Sequence, residues 1–167
     1  MKKIILILCL LQMILVQAQD IYLHCGQLID TEKGKVLSEQ TIIVSGEIIK
    51  SVQKGYINPE NPQDVVVDLT SKTVMPGLID MHVHMENEYN PKRYMDQFTA
   101  NEADVAFKSV NYAEITLMAG FTTVRDLGGT GVNIALRNAI NNNTIVGPRI
   151  FTAGKSIATT GGHADPT

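Results

Sequence analysis

The chain is short of cysteine, of histidine and of clustered positive charge, and each shortage removes a class of explanation. Only two cysteines occur in 167 residues. Cys9 lies in the apolar N-terminal run, without the small residue before it that a lipid-anchored cysteine needs. With the N-terminal run removed as a leader, the mature chain would keep only Cys25, so no internal disulfide is possible and stability must come from packing, from a metal or from a partner chain, which leaves a homo-oligomer open. No basic cluster follows Lys3 and the net charge is −3, a balance that argues against nucleic acid as a ligand. Repeats and low-complexity tracts are absent. At this length one compact domain is the default, with enough chain to bury a real core.

The one long apolar run is at the start. In "MKKIILILCLLQMILVQAQ" a basic opening (Lys2, Lys3) precedes an apolar stretch from Ile4 to Val16, with Val16 and Ala18 as the small residues before a cut. This is the pattern of a cleaved secretory signal peptide over residues 1–18, with a mature start near Gln19 and a secreted or periplasmic destination. Gln12 and Gln17 hold the run below the roughly 20 apolar residues of a membrane span, so no stable membrane anchor is expected.

Residues 19–75 read as short strands. "IYLHCGQLI", "QTIIVSGEIIKSVQ" and "VVVDL" are rich in β-branched residues and are separated by turn signals at Ser45-Gly46 and Lys54-Gly55 and by the polar "NPENPQ". A small antiparallel sheet is expected, with His24 and Cys25 as packing residues. After Pro76 the pattern changes to strand and helix in alternation. "LIDMHVH", "FTTVRDLGG" and "RIFTAGKSI" read as strands. Between the first two, Thr99 and Glu102 pair as a capping box, Ala106, Val110, Ala113 and Leu117 recur at helical spacing, and Gly120 supplies the stop. "VNIALRNAIN" forms a second helix. Strands joined through helices imply parallel pairing in an α/β unit.

The stretch "MPGLIDMHVHM" concentrates two of the four histidines. By strict strand alternation Asp80, His82 and His84 point to one side, while Ile79, Met81 and Val83 point to the other and pack under helices. Three ionisable side chains facing a core are costly unless paired or metal-bound. Two imidazoles at the carboxyl end of a strand can bind one divalent ion, with Asp80 placed to bind it or to orient a ligand. A bare His-x-His also arises where both rings are satisfied by hydrogen bonds at a strand end.

Together with its neighbours the stretch is more specific. "VMPGLIDMHVHM" resembles the first-strand signature of the amidohydrolase superfamily, "AGFTTVRDLGG" its second barrel strand, and "GPRIFTAGKSIATTGGHADP" the third strand and loop of the imidazolonepropionase-like and prolidase-like branch. The resemblance runs from about Ile21 to the last residue. It implies a (β/α)8 TIM-like barrel of the metal-dependent hydrolase type, represented by its first three strands over residues 76–167. It also implies that residues 19–75 are part of a small composite β-sandwich. His82 and His84 would bind the more buried of one or two divalent ions, zinc being expected although iron and manganese accept the same ligands. The ion would activate a water against a C–N bond in a dipeptide, a cyclic amide or another small molecule.

Such a site would also need a lysine, usually carboxylated, from the fourth strand, histidines from the fifth and sixth, and a proton-accepting aspartate from the eighth. No catalytic residue in that sense lies within this chain, and Lys155, on the third strand, is not the bridging lysine. The chain alone is expected to be an inactive N-terminal fragment, the alternative reading being a non-catalytic truncated product or half of a split enzyme completed by a second chain. His163, in "TTGGHADP", is expected to contact substrate, against a role in stabilising its loop. Arg125 and Asp126 are expected to form an internal salt bridge or anchor a loop. Gly128, Gly129, Gly161 and Gly162 read as backbone turns, because no phosphate-loop signature follows.

Overall fold

The computed structural model describes residues 19–162. The chain divides into two compact units, Met1–Pro76 and Gly77–Thr167, each with a core of its own.

In the first unit, β1 (Asp20–Asp30), β2 (Lys35–Ser45), β3 (Ile48–Lys54) and β4 (Val65–Val74) form one sheet in the order β3-β2-β1-β4. The turns at Gly34 and Gly46, both at positive φ, close the β1–β2 and β2–β3 hairpins. β4 corrects the expectation of an all-antiparallel sheet, because it pairs with β1 in parallel. The physical reason is the connection. Residues 55–64 are long enough to carry the chain past β2 and β1 to the far edge, whereas a tight turn would force β4 back against β3.

Between Cys25 and Gln27 the β1–β4 register jumps, two residue steps on β1 facing four on β4. Gly26 permits the jump, since a Cβ there would lie 2.0 Å from the Thr70 carbonyl oxygen. The core gathers Cys25, Leu28 and Ile42, with Leu23, Leu37, Val44 and Val74 packed around them. Burial raises the Cys25 thiol pKa above its ordinary value. His24 is also buried, with Nε2 2.8 Å from the Ile57 carbonyl oxygen.

In the second unit, β5 (Leu78–Val83), β6 (Phe121–Asp126) and β7 (Arg149–Thr152) are parallel and adjacent in that order. α1 (Arg93–Thr99) and α2 (Glu102–Met118) join β5 to β6, and α3 (Val132–Asn141) joins β6 to β7. Ala113 of α2 and Leu136 of α3 close over Val124 and Ile150, with Met85 completing the buried cluster. Ala106, Val110 and Leu117 lie partly buried, as the spacing predicts, and Gly120, at φ 96°, ends α2.

The capping box falls two residues later than expected. Asn101 accepts from the amides of Ala103 and Asp104, and Asp104 accepts from the Asn101 amide. Thr99 belongs to α1, where its hydroxyl donates to the Met95 carbonyl. Among the described residues no helix is long and apolar enough to cross a membrane.

A candidate metal centre at the end of β5

The ladder between β5 and β6 decides which way the histidines face. Ile79 pairs with Thr123, Asp80 with Val124, and Val83 with Asp126, so from Asp80 to Val83 three residue steps on β5 face two on β6. Paired residues share a face, and Val124 and Asp126 both lie on the side buried beneath the helices. Asp80 and Val83 are therefore on that side together, which strict alternation forbids. The extra step turns His82 to the opposite side, and His84, just past the end of the strand, joins it. The two rings stand edge to face with centroids 5.5 Å apart.

Two expectations are corrected here. Asp80 does not share a face with the histidines, and of the three apolar alternates only Val83 packs into the core, Ile79 and Met81 staying 61% and 56% exposed. A bulge is invisible to a period-two reading, because it changes the phase without changing the composition. Two side chains hold the bulged segment. Asp80 Oδ1 accepts the His82 amide at 2.9 Å, and Arg125 Nε donates to the Met81 carbonyl at 2.8 Å.

His84 is fixed by its other ring nitrogen. Nδ1 lies 2.8 Å from the Gly128 carbonyl oxygen. A carbonyl can only accept, so Nδ1 carries the proton and Nε2 keeps a free lone pair in the neutral ring. This is the arrangement by which metal-binding imidazoles are usually oriented. His82 has no ring hydrogen bond among the described residues.

Behind the pair lies a buried polar framework. Asp126 accepts from the Met85 amide at 2.9 Å, from the Gly128 amide at 2.8 Å and from the Asn133 side chain at 3.1 Å. Asn133 Nδ2 also donates to the Gly154 carbonyl, leaving its own Oδ1 without a partner among the described residues. Glu86, 5% exposed, accepts the amides of Thr130 and Asn133, each at 2.7 Å, and so sits at the positive end of the α3 dipole. Gly129 must lack a side chain, since a Cβ would fall 2.5 Å from the Glu86 carboxyl carbon.

Asp126 is thus the loop anchor that sequence reasoning allowed, while Arg125 binds a different strand and makes no ion pair with it among the described residues. Sequence reasoning missed Glu86 and Asn133. Nothing in local spacing marks them, because their contacts reach across to distant segments.

Two imidazoles, one with its outer nitrogen already committed, fit part of a ligand set for a divalent cation. Among the described residues no third His, Cys, Asp or Glu completes a cluster with them. His163 and the residues of the expected signal peptide, 1–18, lie outside the described residues. The large surface depression lined by Arg125, Arg137 and Arg149, about 750 Å³, does not include the histidines.

Parallel βα units with two imidazoles at the carboxyl end of the first strand define a hydrolase-type barrel segment, with strands of a sandwich before it. The amidohydrolase family profile matches residues 73–166, more than half of the chain, and the chain belongs to that family. Ochratoxinase of Aspergillus niger is 28% identical over 158 residues, covering 89% of this chain and 31% of that protein. A crystal structure of a Xaa-Pro dipeptidase with methionine bound in its active site superposes with a TM-score of 0.81 at 44% identity, covering 89% of this chain and 36% of the other. A prolidase complexed with N-methylphosphonate-L-proline gives a TM-score of 0.72 at 33% identity, over 87% of this chain and 34% of its own. The chain spans about a third of the length of these relatives.

Proposed function

We propose that the protein acts as a metal-dependent hydrolase of carbon–nitrogen bonds, with His82 and His84 as two ligands of a divalent cation of the zinc class, present as one or two ions. The observation that carries this reading is the committed Nδ1 of His84, which leaves Nε2 free beside the His82 ring. Membership of the amidohydrolase family and the likeness to prolidases and ochratoxinase support hydrolysis of an amide bond.

A divalent cation held there would supply Lewis acidity, making water a better nucleophile and polarising the scissile carbonyl. The residues of this chain do the holding. His84 presents Nε2 in a fixed tautomer, Asp80 fixes the backbone beneath His82, and Asp126 secures Gly128, whose carbonyl orients His84. The substrate class that fits is a dipeptide or a cyclic amide, the names of the structural neighbours favouring a dipeptide ending in proline. His163 is proposed to contact that substrate. The leader pattern supports export to a secreted or periplasmic location after cleavage near Gln19.

The test uses the protein as its own gene produces it. Metal content by mass spectrometry and hydrolysis of aminoacyl-proline, other dipeptides and lactams are measured together. His82→Ala and His84→Ala should each lose metal and activity, whereas His163→Ala should lower turnover with metal content near normal. Equal metal loss in all three variants would show that the roles are wrongly divided, and full metal content in both of the first two would remove the proposed centre.

A further inference from the structure

The histidine pair faces its site only because β5 is out of phase with β6. Had the pairing of Asp80 with Val124 run on in step, His82 would stand opposite Asp126 on the helix-covered side, and Val83 would point away from the core. That register puts an imidazole among Ala113, Leu136 and Met85 and exposes a valine, so hydrophobic burial opposes it. It does keep the ladder regular, however, whereas the observed register leaves Met81 and His82 without ladder partners. The backbone groups left in that gap need partners from elsewhere.

Two contacts fall within the gap. The His82 amide is taken by Asp80, a local bond that needs no neighbouring strand. The Met81 carbonyl is taken by Arg125 of β6, a bond between segments 44 residues apart. In the β6–β7 ladder Arg125 pairs with Phe151, while Val124 pairs with Ile150 and Asp126 with Thr152. Arg125 therefore lies on the face opposite the helix-covered core, the face to which His82 and His84 turn. Its length and the direction of its Nε–H let it reach across to the carbonyl one residue before His82. A lysine ammonium on a flexible stem has no N–H fixed in that direction.

We propose that Arg125 is a positioning residue for the histidine pair, its guanidinium clamping the Met81 carbonyl so that the β5 bulge holds both imidazoles on one side. The inference rests on the reading of His82 and His84 as metal ligands, but the clamp itself is a property of the strand pair. It also separates Arg125 from Arg137 and Arg149, which line the same surface depression but make no hydrogen bond to β5 among the described residues.

The experiment takes the protein as its gene produces it and reads zinc affinity by competition with a chromogenic chelator, together with the visible spectrum of the cobalt-substituted form. Arg125→Ala should weaken zinc binding by about tenfold to a hundredfold, the range seen when residues that orient ligands are lost. The cobalt bands should change in position or intensity. Ethylguanidinium added to Arg125→Ala should recover much of the affinity, Arg125→Lys should not, and Arg137→Ala and Arg149→Ala should bind as the wild type does.

Hydrogen exchange of the peptide spanning residues 78–86 gives a readout that does not depend on metal or activity. Its amides should exchange faster in Arg125→Ala and in the gentler Arg125→Gln, with the rest of the protein unchanged. Wild-type zinc affinity and spectrum in Arg125→Ala, or unchanged exchange in that peptide, would overturn the inference. If the wild type binds no cation, the metal reading fails, and exchange alone then decides whether Arg125 clamps the bulge.

Discussion

Asp126 is the residue on which the geometry behind the histidines converges. Its carboxylate takes two amides and one side-chain amide, all buried, so one substitution strands three donors at once. Asp126→Ala should destabilise the fold by about 3 kcal/mol or more, since each buried donor left unpaired costs about 1–3 kcal/mol and local rearrangement recovers only part of that. Urea unfolding of wild type and variant measures it, and a loss below about 1 kcal/mol would mean that the framework is dispensable. At this scale the histidines were legible because two identical, chemically distinctive side chains stood two residues apart. Glu86 and Asn133 were not, because a buried carboxylate meeting one loop amide and one helix amide, 44 and 47 residues away, leaves no trace in local pattern. Asp126 was half legible. Its place after Arg125 suggested an ion pair, whereas side chains of adjacent strand residues point to opposite faces and the two found different partners.

Among the elements, α2 follows from side-chain periodicity and its glycine stop, and α3 covers the segment that reads as the second helix. The N-terminus of α2 is the exception. Both Thr99 with Glu102 and Asn101 with Asp104 have the spacing of a reciprocal cap, and sequence alone cannot say that α1 absorbs Thr99. The contest is testable. Asn101→Ala should cost about 1 kcal/mol of stability, within the usual range for loss of an N-cap, and Thr99→Ala clearly less. Thermal unfolding of both variants decides it, and the reverse order would place the cap at Thr99. Strand direction and phase were the other hidden quantities. Composition marks β4 and β5 as strands, but the direction of β4 depends on the reach of residues 55–64, and the phase of β5 on bonds from Asp80 and Arg125.

For the whole molecule, the family is settled by residues 73–166 and the fold by likeness to solved prolidases, while the chain spans about a third of the length of its relatives. The second unit leaves Ile79, Met81 and Phe151 exposed on the side of the sheet away from its helices, the side a closed barrel would enclose. The candidate centre lies at the carboxyl end of that sheet, where barrel enzymes of this type carry their chemistry. An anomalous difference map, recorded at the zinc edge from crystals of the protein as its gene produces it, shows directly whether the histidine pair holds a metal. A peak is expected about 2.0–2.1 Å from His84 Nε2 and at a similar distance from a ring nitrogen of His82, as zinc–imidazole bonds require. A zinc-loaded crystal with no peak there, or with its peak on other side chains, would contradict the proposed centre.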